Sequence, residues 1–398
     1  VASRRATPGI HRIGQGEDRA ARKPQRQLKL RSTGVPGPDV LAGVPGWCAA
    51  SRASAEIGRL DSARRKTDIR LSLFVVGKKI IVEYDGWCRM EWISTFGGMA
   101  SSESALGKSP SATAVMAAAA RAAHLIVDRP PTVFRDALAE RLLGEQAGEL
   151  IGYHRSHGDL QILADARTQA VCRSRYTEDA LVEAAAAGIG QYVILGAGLD
   201  SFAYRDETHE VPRIRVFEVD HPVSQQDKRC RLAAAGIAVP RHVAHVPVDF
   251  ERDDLADRLV AAGFDRARPA VVAWLGVSMY LAVDVLSETL AVIGQFAPGT
   301  ELIADYMLPE GLRDEAGQRY VALVSSAVSG LGERWRTFLS PPDVDRLLNE
   351  AGLSTVEHVR QHEMIPAAEW NRSDALAPSD LCRIVRARVP AHRTTFPG

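Results

Sequence analysis

Two glycines and three acids, each set just past a run of strand-forming residues, are where this sequence could do chemistry. In "QYVILGAGLDSFAYR" (191–205) the apolar run Tyr192–Leu195 suits a strand buried on both faces, and Gly196 and Gly198 follow at once. Glycine there lets the chain bend sharply and leaves room that a Cβ would fill, so the turn can hold a dinucleotide, another adenosine-containing cofactor, or nothing beyond close packing. The next strand-like stretch, "RVFEVDHP", puts Glu218 20 residues after Gly198 and Asp220 two residues further on the same face. A carboxylate at that strand end can accept both hydroxyls of a ribose. In "HVPVDFERDDL", Asp249 and Phe250 stand just past a third strand, where an acid can accept an adenine amine and an aromatic ring can cover the base. Asp249 can equally cap a helix starting at Glu251 or Arg252, with Asp253 following in the first turn. A dinucleotide turn wants a glycine or alanine where this chain has Ser201. S-adenosylmethionine lying across the strand ends suits the set better.

The elements that must position these residues follow in a regular rhythm. Strands are expected at 191–195, 214–219, 243–247, 270–275 and 301–307, with helices at about 222–235, 251–262 and 283–295 between them. Such alternation predicts a doubly wound, Rossmann-like α/β sheet of parallel strands, with ligands beyond the carboxyl ends. Upstream, "SATAVMAAAARAAHLIVD" is an alanine-rich helix former, and a second helix follows Pro130 and Pro131. A third, "SRYTEDALVEAAAAGIG", ends at Gly188 and Gly190. The insert 309–340 contains an amphipathic helix placed to cover the carboxyl ends as a lid. Beyond it, "PPDVDRLLNEAGLSTVEHVR" predicts a helix and a strand, and "SDLCRIVRARV" a last strand.

The 398 residues carry 49 basic and 49 acidic side chains. Residues 1–98 hold 18 basic and 9 acidic residues, leaving 31 and 40 for the remainder. With no basic patch interleaved with aromatics, a nucleic-acid partner is not expected, and no apolar run approaches the roughly 20 residues that span a bilayer. A cytoplasmic enzyme acting on a small-molecule acceptor is expected. The five cysteines form no CxxC or Cys/His cluster, so no metal site is expected. Residues 1–98 combine charged coil, the turn-rich "STGVPGPDVLAGVPG" and one piece, "LSLFVVGKKIIVEYDGW", that suits a hairpin around Gly77 and Lys78. Residues 1–98 are expected to be either a small accessory segment or, as the Val1 start and Met99 just before the first helical pattern favour, an extension outside the enzyme, which would occupy 99–398.

Over about residues 110–385 the sequence resembles the leucine carboxyl methyltransferase-like group of S-adenosylmethionine-dependent methyltransferases, in particular its bacterial O-methyltransferase-like members. The stretches that carry the likeness are "RSRYTED" (173–179), "VILGAGLDSFAYR" (193–205), "VFEVDHP" (216–222), "VPVDF" (246–250) and "WLGVSMYL" (274–281). The resemblance implies a class I methyltransferase sheet. It also implies that Arg173 approaches the methionine carboxylate, that Gly196 and Gly198 form the cofactor turn, that Asp220 holds the ribose, and that Asp249 and Phe250 meet the adenine. A guanidinium fork at Arg173 is chemically suited to that grip; an ion pair with Glu178 or another acid is its ordinary alternative. The chain departs from the family at Phe202, where an arginine is usual, and at "WLGVSMYL", where a "WxxEG" form is common, both expected on the substrate side.

Methyl transfer from a sulfonium needs alignment above all, and a carboxylate acceptor, already ionised, needs no base, whereas a phenol benefits from one. On the acceptor side, Tyr280 can orient the acceptor or serve as core, and Arg205 is the nearest expected cation unless it pairs with Asp200 or Glu207. His221 follows the ribose acid as a loop residue, and His242 and His245 flank the third strand as structural groups. In the insert, Tyr320, Val321, Leu323, Val324 and Val328 can wall an acceptor pocket, with Gly330 and Gly332 permitting movement. The sequence thus predicts an O-methyltransferase acting on a carboxylate or hydroxyl. Two other functions remain open: an NAD-linked oxidoreductase using Glu218, and a non-catalytic cofactor- or partner-binding protein.

Overall fold

The computed structural model describes residues 71–76, 79–84, 88–93, 110–205, 214–330 and 333–391. The chain divides into two units, Val1–Ala50, wholly outside the described residues, and Ser51–Gly398, to which everything below belongs. The expected boundary at Met99 also falls outside the described residues. Near the start of the second unit, β1 (Leu71–Val76), β2 (Lys79–Tyr84) and β3 (Cys88–Ile93) form a three-stranded antiparallel sheet. The first pair has Val76 opposite Lys79, the register expected of a hairpin around Gly77 and Lys78.

Four helices precede the main sheet: α1 (Ala112–Val127), α2 (Ala139–Leu143), α3 (Ala147–His157) and α4 (Gln161–Ala186). Ser111 caps α1 by accepting from the Ala114 N–H at 3.1 Å. The expected second helix is only five residues long, α3 was not foreseen, and α4 starts well before Ser174; its end at Gly188, φ +96°, is as expected. The alternating part then runs β4 (Gln191–Leu195), β5 (Arg215–Asp220), α5 (Pro222–Ala234), β6 (Val243–Pro247), α6 (Leu255–Ala261), β7 (Val271–Trp274), α7 (Val283–Ile293) and β8 (Glu301–Met307). The insert supplies α8 (Glu315–Gly330), and α9 (Pro341–Glu350), β9 (Ser354–Arg360) and β10 (Cys382–Arg388) complete the fold.

The sheet order is β6-β5-β4-β7-β8-β10-β9. From the central β4 the chain winds outward through β5 and β6, then crosses to β7 and β8, and these five strands are parallel. The expectation of an all-parallel sheet needs correction at one edge: β10 runs antiparallel to both β8 and β9, since it enters from β9 without a crossover helix. Period-two alternation sends Val193 and Leu195 into one core with Phe217, Trp274 and the α7 residues Leu286 and Leu290, while Tyr192 and Ile194 join Leu181 of α4 and Leu232 of α5 on the opposite face. All residues of β4 and β8 are buried, in β8 even Glu301 and Asp305. The architecture is the expected doubly wound, Rossmann-like sheet, with β4 and β7 flanking the point where the winding reverses. Among the described residues no helix is long and apolar enough to cross a membrane.

Candidate functional site

A cavity of about 740 Å³ opens beyond the carboxyl ends of β4 to β8, within the size range of small-molecule sites. Its walls include Arg173, Gly196, Gly198, Asp220, Asp249, Phe250 and Tyr280, so the fold gathers seven of the eight expected site residues. Gly196 has φ +67° and Gly198 φ +45°, both in the left-handed region where a side chain is strained. A Cβ on Gly196 would collide with Val277 Cγ2, and one on Gly198 would stand 3.0 Å from Ala114 Cβ. The turn is held by the Gly196 N–H donating to Val219 O at 2.8 Å.

Asp220 ends β5, and its two oxygens accept from different amides, Gly198 N–H at 2.5 Å and His221 N–H at 2.7 Å. Burial still outweighs these bonds and raises its pKa above the ordinary aspartate value. The carboxylate retains acceptor capacity for two hydroxyls. Asp249 follows β6 and accepts from Glu251 N–H at 3.2 Å, with His221 Nε2 3.7 Å away. It does not cap a helix at 251: residues 249–253 first fold into a turn, with the Arg252 and Asp253 N–H groups donating to Asp249 O, and α6 begins later behind its cap Asp254. Phe250 is half-buried with its ring 6.5 Å from that of Trp274. His221 caps α5 by accepting from Val223 N–H at 3.3 Å.

Arg173 projects from the middle of α4, and its partner is Asp305 of β8, not Glu178. The Arg173 Nη1 to Asp305 Oδ2 distance is 3.1 Å, and Asp305 Oδ1 accepts the Gly276 N–H at 2.7 Å. A Cβ on Gly276 would lie 2.8 Å from Arg173 Nη2, so the guanidinium lies flat on that loop. Asp305 was missed from sequence; an isolated acid inside the buried run "ELIADYM" was the available signal. Arg175, two residues on, faces away and pairs with Asp179 at 2.6 Å.

Arg205 is the correction. It is absent from the cavity wall and lines a second, smaller depression with Phe134, Glu178 and Phe202. There it pairs with Glu178, donates to Arg135 O at 3.0 Å and lies 5.0 Å from the Phe134 ring centroid. The reason is the short 3-10 turn Phe202–Tyr204, which leads the chain from the Gly196–Gly198 turn into the core beneath α4. Phe202 likewise packs edge-on against Tyr192 and is absent from the cavity wall. Glu218 is also removed from the site: it is 1% exposed and bonded to Lys228 Nζ at 2.8 Å and Tyr204 Oη at 3.0 Å, with His245 beside it.

The other part of the cavity is apolar and aromatic. Tyr280 meets Met279, Met307, Leu381, Cys382, Tyr320 and Trp335 there. From α8, Tyr320, Val324 and Val328 line the wall, which is one face at i, i+4, i+8 spacing, whereas Val321 and Leu323 do not. Gly332 lies outside the described residues. The Tyr280 hydroxyl is approached by the Thr113 and Trp335 side chains, and burial raises its pKa; burial does the same to Tyr320 and Cys382. These groups remain protonated at neutral pH, as donors or apolar wall, not bases. Trp335 was not anticipated; its ring stacks 6.5 Å from Tyr320, a contact that only folding of the insert creates.

The family model described as leucine carboxyl methyltransferase matches residues 114–294. A Mycobacterium tuberculosis protein whose name describes an S-adenosyl-L-methionine-dependent methyltransferase is 35% identical over 246 residues, covering 58% of this chain and 75% of its own. A Bacillus subtilis protein of the same designation is 29% identical over 218 residues, covering 54% and 71%. Among solved structures, a Thermobifida fusca chain titled as a methyltransferase aligns at TM-score 0.46 and 22% identity, over 63% of this chain and 92% of its own.

Proposed function

The chain belongs to the leucine carboxyl methyltransferase family, and from that membership we propose that it methylates an oxygen, in the first place a carboxylate oxygen, of a small acceptor held beneath α8. It is an S-adenosylmethionine-dependent methyltransferase. S-adenosylmethionine, when bound, supplies a methyl group on a positively charged sulfur. The residues present fit it: Arg173 would grip the methionine carboxylate, Gly196 and Gly198 leave the turn without side chains, Asp220 would accept the ribose hydroxyls, and Asp249 and Phe250 would meet the adenine.

The acceptor class rests on a single observation. The titratable residues Tyr280, Tyr320 and Cys382 in the acceptor wall are all pushed up by burial, so none of the three serves as a base, which suits an acceptor that needs no deprotonation. Tyr280, kept protonated, can donate a hydrogen bond that orients the acceptor. Arg334 and Arg336 stand exposed at the same cavity and attract an anion. Alignment of acceptor and donor then carries the catalysis.

The test is titration with S-adenosylhomocysteine, then transfer of labelled methyl to a panel of carboxylic acids and phenols. Base-labile label on the acids is expected. Label confined to the phenols would overturn the carboxylate assignment, and cofactor binding without transfer to any acceptor would favour a binding protein.

A further inference from the structure

The first turn of α1 and residues 333–336 together form part of the cavity wall, with Ser111, Thr113 and Ala114 on one side and Glu333, Arg334, Trp335 and Arg336 on the other. Ala114 sits against Gly198, so α1 begins directly over the turn assigned to the cofactor. An α-helix leaves its first amides without partners in the helix. Here the Ala112 N–H donates to Glu333 Oε1 at 3.0 Å and the Thr113 N–H to Oε2 at 3.1 Å, across 221 and 220 residues of chain. Beside the local Ser111 cap, the first turn of the helix therefore carries a tertiary link. It joins a carboxylate to the positive end of a 16-residue helix through two charge-assisted bonds.

The two ends of residues 333–336 are held differently. At Arg336 and the adjoining Thr337, both backbone N–H groups donate to Met279 O, at 2.7 and 3.2 Å, and Thr337 Oγ1 donates to Leu281 O at 2.6 Å. The Arg336 side chain reaches Glu251 only at 3.9 Å, with both groups more than half exposed. At the Glu333 end, the link to α1 is the carboxylate itself.

The geometry points to Glu333 as a positioning residue that latches residues 333–336 to α1 over the cofactor and so governs how fast cofactor enters and leaves. The inference rests on the cofactor placement proposed above. Closing this wall also brings Thr113 and Trp335 to the Tyr280 hydroxyl, so the same contact completes the acceptor wall.

Two substitutions probe the latch from opposite sides. Glu333→Gln removes the charge and keeps the volume. Ala112→Pro removes one donor N–H at the first helical position, which favours proline, and Ser111 before it is already extended at φ −64°, ψ 117°. The full chain is loaded with S-adenosylhomocysteine, and association and dissociation rates are measured by stopped flow alongside a thermal melt. Both variants should raise both rates roughly tenfold, leave Kd within about threefold, and in combination give no more than the larger single effect. Wild-type rates in both variants would overturn the proposal. So would a fall in affinity carried by dissociation alone together with a lowered melt, the mark of a merely structural contact. Failure of the wild-type protein to bind S-adenosylhomocysteine would instead remove the cofactor reading on which the latch rests.

Discussion

Replacing Asp220 by alanine tests the cofactor site most directly. In the folded protein each Asp220 oxygen already accepts one backbone amide, from Gly198 at 2.5 Å and His221 at 2.7 Å, which fixes the carboxylate without using all of its lone pairs. Two ribose hydroxyls bonded to a charged acceptor contribute about 1.5–3 kcal/mol each. Rehydration of the stranded hydroxyls, and relief of the burial that raises the Asp220 pKa, return part of this. A net loss of about 2–4 kcal/mol, or roughly 30- to 1,000-fold in Kd for S-adenosylhomocysteine, is expected. Thermal stability should change little, because water in the cavity can reach the freed amides. The sign with pH follows from the raised pKa. Asp220 costs the fold stability as pH rises through that value, yet it is the ionised form that accepts both hydroxyls, so affinity should fall as pH drops through the raised pKa in the wild type and stay flat in the variant. Calorimetry at several pH values reads both effects. An alanine variant binding within about threefold of wild type at neutral pH would refute the assignment of Asp220 to the ribose.

Gly196→Ala should lower the melting temperature and cofactor affinity more than Gly198→Ala, because both positions have positive φ but only the first drives a methyl into Val277; a thermal melt and calorimetry rank them, at about 1–3 kcal/mol each. Val324→Asp should abolish methyl transfer while sparing S-adenosylhomocysteine affinity, whereas Val321→Asp, placed in the cluster with Met307 and Leu381, should cost thermal stability instead. Burial, then the neighbouring Arg167, holds His154 neutral with its pKa lowered to about 4. Its contribution, up to about 3 kcal/mol, is present above pH 6.5 and lost as pH falls toward 4, so His154→Leu should flatten the acid limb of a denaturant-midpoint profile.

Local pattern determined much of this protein. The strands 191–195, 243–247 and 301–307 have the expected bounds because each is a short, largely apolar run set between turn-forming stretches. That Gly196, Gly198, Asp220, Asp249 and Phe250, the residues proposed for the cofactor, would share one cavity was legible for a related reason: each lies at or just past the end of a strand, and parallel winding brings every such position to one end of the sheet. Arg205 and Phe202 obeyed the same sequence logic and failed, because a single 3-10 turn redirected them into the opposite layer. The antiparallel entry of β10, the Asp305 that holds Arg173, and the meeting of Glu333 with Ala112 each join residues far apart in the chain. Spacing along a sequence carries no distance between such partners. Only the packing of α1, α4, α8 and the sheet brings them within hydrogen-bonding range, so although Tyr280, Tyr320, Val324 and Val328 could be picked out from sequence for that part of the cavity, their long-range partners could not.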